Sequence, residues 1–231
     1  MKVSVIVLTA DPTKPMAQSA MKAVMETVPK PFELVVDHVS GPEFGFSNGV
    51  NRMARASRGE NLILVNDDCI PSPGWVEKLL AAAEDPQVGV VGGLPEEASE
   101  RYVSFGLVLI KAEAFRRVGG LDERYRLGHE DEDFCLRAVQ AGYSIRSVDV
   151  GASHLKNASS RTLRATGLHV KGAVIFGVDH EQPPLSVVAK ALWALSYNLR
   201  FAAKDLPPAA VVRSLSHKAR RPEGRRYRNG L

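Results

Sequence analysis

Four adjacent carboxylates, Glu130-Asp131-Glu132-Asp133, stand between His129 and the apolar helical pattern that starts at Phe134-Cys135-Leu136-Arg137. Like charges at this spacing repel, and burial raises the pKa of each, so a fold keeps them together where something offsets the charge or uses it. Two uses are open to carboxylates: taking a proton from a reacting group, and holding a hard divalent cation. A helix start also accommodates them, because its dipole favours acids in the first turn and Asp133 can pair with Arg137 one turn later. Standing alone, the run reads as a solvated helix start. A second acidic site, Asn66-Asp67-Asp68-Cys69, lies where an aliphatic strand pattern ends.

The elements that must bring these two sites together follow from periodicity. Val3–Leu8 is a continuous aliphatic run, as in a strand covered on both faces, and a helical stretch over 17–27 follows, closed by Pro29 and Pro31. Phe32–Val36 reads as a strand, Ser47–Ser57 as a helix capped by Ser47, and Asn61–Val65 as a third strand. Ser72 and Pro73 suit the cap and first turn of a helix reaching Glu84, and Val88–Val91 is the next strand. Leu107 opens another strand, a short helix over 112–117 and a Gly119-Gly120 turn precede the acidic run, and the helix opened by that run ends near Gly142. Tyr143–Val150 resumes as a strand, with His154 beyond it. This alternation predicts an α/β fold: a Rossmann-like, mostly parallel sheet flanked by helices. Open sheets of that kind bind ligands at the carboxyl ends of their strands, where Thr9, Asp11, Asp37, Asp67 and Asp68 fall.

The 231 residues suffice for one sizeable core with an appendage, and their near-average composition, 45% hydrophobic and 24% charged, is that of an ordinary globular protein. The aliphatic run after Lys2 is too short for a signal peptide or a membrane span, so a cytoplasmic location is expected. Cys69 and Cys135 fit no zinc or redox spacing and read as small buried hydrophobes. The net charge of +4 is uneven: residues 213–231 hold seven basic side chains against Glu223 alone, leaving a mildly acidic body. A nucleic-acid-binding core is not expected. Between them, Leu185, Val188, Leu192, Leu195, Leu199, Ala202 and Leu206 recur at three- and four-residue steps, with Lys190, Arg200 and Lys204 interspersed, until Pro207-Pro208. Such a helix, over 185–206, is expected to pack on its own domain or a sister subunit in a homodimer, with peripheral membrane contact as the alternative.

Several stretches, in order, resemble the inverting glycosyltransferases of family 2, which have the nucleotide-diphospho-sugar transferase (GT-A) fold. The likeness covers roughly residues 2–160: Val3-Ser4-Val5-Ile6-Val7-Leu8-Thr9 for the opening strand, Leu34-Val35-Val36-Asp37 for the second, and Gly45-Phe46 through Asn51 for the loop and helix after it. Leu64-Val65-Asn66-Asp67-Asp68-Cys69-Ile70-Pro71, with Pro73-Gly74-Trp75, is similar to the family's Asp-x-Asp segment, and Phe115 through Arg137 to the stretch that ends in its Glu-Asp motif. Asn66 at the first position of the Asp-x-Asp segment is similar to rhamnosyltransferase-like members, and Thr9-Ala10-Asp11-Pro12 departs from the family's usual Thr-Tyr-Asn-Arg.

The resemblance implies a metal-dependent inverting transfer of a sugar from a UDP-, GDP- or dTDP-sugar to a hydroxyl of a glycan, lipid-linked or protein acceptor. Asp68 is the first metal ligand by its chemistry, and the resemblance adds His154 as the second, a set suited to Mn2+ somewhat better than Mg2+. It makes Asp131 the general base with Glu130 beside it near the acceptor, Asp133 a structural partner of Arg137, and Glu132 a solvent-facing residue. Thr9, Asp11, Asp37, Asn51, Asn66 and Asp67 are the expected nucleotide-sugar contacts. The domain organisation expected is a GT-A catalytic domain over 1–160, a helical extension over 161–212 and a basic, disordered tail over 213–231. Two other readings stay open: a nucleotidyltransferase, against which the lack of glycine in Thr9–Pro15 speaks, and a catalytically silent binding or scaffold relative.

Overall fold

The computed structural model describes residues 2–38, 45–99, 101–155 and 163–204, without the side chains of 38, 163, 164 and 197–204. The expected disordered tail and the Pro207-Pro208 stop lie outside the described residues.

Strands β1 (Val3–Thr9), β2 (Glu33–His38) and β3 (Asn61–Asn66) are joined by helices α1 (Pro15–Thr27) and α2 (Phe46–Ala56). After the two-residue strand β4 (Cys69–Ile70) come α3 (Trp75–Ala82), β5 (Val88–Gly92), β6 (Leu107–Lys111) and α4 (Ala112–Val118). Helix α5 (Glu130–Gln140), β7 (Ser144–Ser147) and β8 (Ser153–His154) complete the α/β body, and α6 (Leu163–Asp179) and α7 (Pro184–Lys204) follow it. Six strands form one sheet in the order β2-β1-β3-β6-β5-β7. β1 pairs parallel with β2 and β3, β5 with β7, while β6 runs antiparallel to both its neighbours. The sheet is therefore mostly parallel, and the ends of β1, β3 and β5 open onto one edge.

The pleat sorts the aliphatic runs. Val3, Val5, Val7, Ile63, Val65, Leu107 and Leu109 face one side, against Val24 of α1 and Trp75, Val76 and Leu79 of α3. Ile6, Leu8, Leu62, Leu64, Val108 and Ile110 face the other, against Val50 and Met53 of α2, Phe115 of α4, and Phe134, Cys135 and Ala138 of α5. Two-sided burial explains why these strands are continuous rather than alternating.

Both predicted serine caps fail. α2 starts at Phe46 from Gly45, and Ser47 lies buried inside it, donating to the Tyr125 carbonyl at 2.5 Å. α3 starts two residues later than expected, from Gly74 at φ 84°, and Ser72 instead hydrogen-bonds the Gly151 carbonyl. The strand expected over 143–150 is shorter: its ladder along β5 covers Ser144–Ser147, with Val148 adding one hydrogen bond to the Gly92 carbonyl.

The extension differs most from expectation. A second helix, α6, precedes α7, and Gly177 of α6 leaves the space that Val187 of α7 fills, a Cβ there falling 2.4 Å from Val187 Cγ2. The pair docks on the body through polar and aromatic groups. Phe176 stacks on His129 with ring centroids 5.4 Å apart, Lys190 Nζ sits 4.4 Å from the Phe176 ring and 3.5 Å from Glu132, and Asp179 accepts from Arg124 and the Tyr125 hydroxyl. The aliphatic stripe of α7 does not cover this domain: Leu185, Val188, Leu192 and Leu195 are all exposed, Leu185 by 84%. No helix among the described residues is long and apolar enough to cross a membrane.

Candidate functional site

Strand β3 delivers Asn66, Asp67 and Asp68 to the carboxyl edge of the sheet, and the turn that follows is pinned on both sides. Asn66 donates its backbone N–H to the Gly106 carbonyl, and Leu155 donates to the Asp68 carbonyl, both at close to 3 Å. Asp67 and Asp68 are almost wholly buried. Asp67 accepts from the Thr9 hydroxyl at 2.6 Å, joining the ends of β1 and β3.

β4 exists because Cys69 and Ile70 pair antiparallel with His154 and Ser153. That short ladder brings His154 Nε2 to 3.2 Å from Asp68 Oδ1 across 86 residues of sequence. The other ring nitrogen, Nδ1, lies 2.8 Å from Glu97 Oε1. Burial alone would pull the His154 pKa down, but the hydrogen bonds and charges of Asp68 and Glu97 outweigh it and raise it to about 9. Gly106 makes room for the ring, since a Cβ there would sit 2.8 Å from His154 Cε1.

Glu97 was not among the residues singled out by sequence. It sits in a 3-10 turn, Pro95–Glu97, just past the end of β5, so the strand-end argument that selected Asp67 and Asp68 applies to it equally.

The acidic run takes its place from the other side. Gly128 and His129 both adopt left-handed backbone, φ 86° and 69°, and this turns the chain into α5 at Glu130. α5 is anchored behind them by Phe134, whose ring lies between Phe105 and Phe115 with centroids 5.7 and 5.6 Å away. Arg137 donates to Asp133 at 2.6 and 2.9 Å and to the Val118 and Gly120 carbonyls at 3.0 and 2.9 Å, so it ties α5 to the Gly119-Gly120 turn. Because Asp133 is buried, Arg137→Met leaves a charge with one fewer cation, and urea denaturation is expected to show a loss of about 3 kcal/mol.

Within the run the four carboxylates have distinct surroundings. Glu132 is not turned to solvent: its Oε2 lies 2.8 Å from His129 Nδ1 and 3.5 Å from Lys190, and although burial opposes it, these partners hold its carboxyl below the usual range. Burial drives Glu130 and Asp131 the other way. Desolvation, with the charge of Asp131 added for Glu130, raises both above the ordinary carboxylate range. Asp131 Oδ1 accepts from the Glu132 backbone N–H at 2.9 Å.

One cleft of about 470 Å³ gathers these groups. Thr9, Asn66, Asp67, Asp68, Glu97 and His154 line it from the strand ends, Glu130 and Asp131 from α5, and His169, Trp193 and Ala194 from the helix pair. Its size suits a nucleotide-sized ligand. Three of the expected donor contacts stand outside its lining. Asn51 is buried behind the Gly120-Leu121 turn, donating to the Leu121 carbonyl at 2.8 Å and accepting from its N–H at 2.9 Å. Asp37 pairs with Arg52 on the surface, and Asp11 organises its own turn, with its N–H on Thr9 Oγ1 and its carboxylate on Thr13.

Asp68 and His154 present a carboxylate oxygen and an imidazole nitrogen to each other, a donor pair that suits a borderline-hard divalent cation. No group of three or more His, Cys, Asp or Glu side chains placed to hold a metal occurs among the described residues. A cation there would complete its shell from ligand and water oxygens, as Mg2+ and Mn2+ do at phosphate sites.

A mixed sheet of this order, with its acidic cleft at the strand ends, is the architecture of the GT-A glycosyltransferases. Solved structures bear this out: a mannosyltransferase from Pyrobaculum calidifontis, in complex with GDP-Man and Mn2+, superposes with a TM-score of 0.63 at 19% identity, over 94% of this chain and 79% of that one. TarS of S. aureus gives 0.56 at 16% identity, over 86% of this chain and 43% of that one. The glycosyl transferase family 2 profile matches residues 9–136, more than half of the chain, and the protein belongs to that family. Similar proteins include an uncharacterized protein of Sinorhizobium fredii, 29% identical over 44% of this chain, and the O-antigen biosynthesis protein RfbC of Myxococcus xanthus, 24% identical over 61%. The chain covers only 16% and 14% of these two relatives.

Proposed function

We propose that this protein transfers a sugar from a nucleoside-diphosphate donor to an acceptor hydroxyl, in one displacement that inverts the anomeric carbon and depends on a divalent cation. The observation that carries the reading is that the Asp68–His154 pair and Asp131 line one cleft. Asp68 and His154 would hold the cation, Mn2+ before Mg2+, which when bound supplies counter-charge for the departing diphosphate. Thr9 and Asp67 fix the floor beneath the donor, and Asn66 offers it an amide. Asp131, its pKa raised by burial, takes the proton of the attacking hydroxyl.

Direct attack needs no enzyme nucleophile, and the two thiols are unsuited to the part. Burial pushes both Cys69 and Cys135 up to about 12. The biosynthetic role in the name of the Myxococcus relative supports a glycan product, and Asn66 supports a rhamnosyltransferase-like donor preference. Calorimetric titration of UDP, GDP and dTDP, each with and without Mn2+, tests the reading. One nucleotide is expected to bind with a clear gain from the metal. Absence of binding by all three would sink it.

A further inference from the structure

Helix α7 has two unlike sides. Val187, Lys190 and Ala194, at steps of three and four residues, face inward: Val187 fills the space left at Gly177, Lys190 reaches Glu132, and Ala194 is 3% exposed. Leu185, Val188, Leu192 and Leu195 recur at the same steps on the other side, and they are between 39% and 84% exposed. Val174 and Val178 of α6, one turn apart, are exposed as well. Single exposed leucines are ordinary on a protein surface, but an aligned row of four marks a face that meets something apolar. The charges along this part of the chain are one-sided. Helix α7 contains Lys190, Arg200 and Lys204 and no acid, and residues 205–231 add seven basic side chains against Asp205 and Glu223.

We propose that the outer face of α7 docks on an anionic phospholipid surface, the helix lying at headgroup level with its aliphatic row toward the acyl chains. The row answers the hydrocarbon and the basic residues answer the phosphates, the pairing that holds interfacial helices. Other occupants meet only half of this chemistry. A second copy would cover the leucines with leucines, but would bring together two helices that each carry three cations and no acid. A nucleic acid would answer the charge and leave the leucines in water. The helix lies on the surface rather than across it, since no helix among the described residues is long and apolar enough to span a bilayer. The docking is independent of the transferase reading: it uses none of the residues assigned to the cation, the donor or the proton transfer.

The test is co-sedimentation of the full chain with vesicles of phosphatidylcholine alone and of phosphatidylcholine mixed with phosphatidylglycerol, at low and at high salt. Binding is expected to be weak on the neutral vesicles and to rise steeply with phosphatidylglycerol content, with high salt removing part of it. The doublet Leu185→Ser, Leu192→Ser, at two exposed positions, should keep the wild-type unfolding temperature and weaken binding to the mixed vesicles by about 100-fold, as two leucine side chains withdrawn from hydrocarbon require. The doublet Arg225→Gln, Arg226→Gln should weaken it by about tenfold and make it less sensitive to salt. Failure of the wild type to sediment with the mixed vesicles overturns the proposal. Full binding by the leucine doublet overturns it too, since the basic segment would then hold the lipid without the helix. A wild-type dimer in sedimentation velocity that the leucine doublet dissociates, with no vesicle binding, would assign the face to a second copy instead. Nucleotide binding by calorimetry should be the same in every variant, so a failed docking surface and a failed transferase reading are told apart.

Discussion

Replacing Asp131 by asparagine is expected to lower the transfer rate by about 10²–10⁴-fold, the range typical of losing a positioned general base, while donor binding is kept. The substitution is nearly isosteric, and an amide oxygen still accepts the Glu132 backbone N–H that orients the side chain. Only the capacity to take a proton goes. The same assignment fixes the sign of the pH dependence. As the proposed base Asp131 must be ionised, and burial raises its pKa, so the rate is expected to fall as pH drops through that raised value, at a pH above the ~4 of an ordinary aspartate. Above that limb the rate is level as far as this group is concerned. In a pH series on wild type and Asp131→Asn, the acid limb should be present in the first and missing from the residual activity of the second.

Asp68→Ala is expected to weaken metal-dependent nucleotide binding by more than about 100-fold, the several kcal/mol that a cation contributes at a developing phosphate charge. Alanine would remove one of the two proposed protein donors, leaving the single nitrogen of His154. The fold should persist, because Glu97 still holds His154 at 2.8 Å and β4 pairs with β8 through backbone. Calorimetry with and without Mn2+ checks this: the variant's two isotherms should coincide. A metal effect that survives Asp68→Ala would move the cation elsewhere.

How far the sequence led depends on the range of the contacts involved. β1, β3 and β6 are aliphatic at nearly every buried position, Ser4 and Thr9 of β1 excepted, and this local property placed the sheet and its ligand-binding edge. The Asp133–Arg137 pair was legible because four residues are one helical turn. The helix starts misled, since Ser47 and Ser72 satisfy their hydroxyls across 78 and 79 residues rather than at a cap. His154 carried no signal of its own. Its proximity to Asp68 rests on a ladder of two residues a side, too short for any pattern, and only the family resemblance singled it out. Glu132 was misread because its partners, His129 and Lys190, include one from a helix 58 residues away. Helix α6 meets the body through Phe176 on the His129 ring and Asp179 on Arg124 and the Tyr125 hydroxyl, with the adjoining His180 beside Asp133, contacts that leave no apolar stripe to read. Asn51 looked like a ligand contact and is a structural clasp, a distinction that depends on the distant Leu121 backbone.

Release of nucleoside diphosphate from UDP-, GDP- and dTDP-sugars, followed with Mn2+ and again after chelation, tests the central claim most directly. One donor should be turned over, slowly by water alone and faster with a glycoside acceptor, and chelation should stop both. Failure to turn over any donor, or turnover indifferent to removal of the metal, would contradict a cation-holding role for Asp68 and His154.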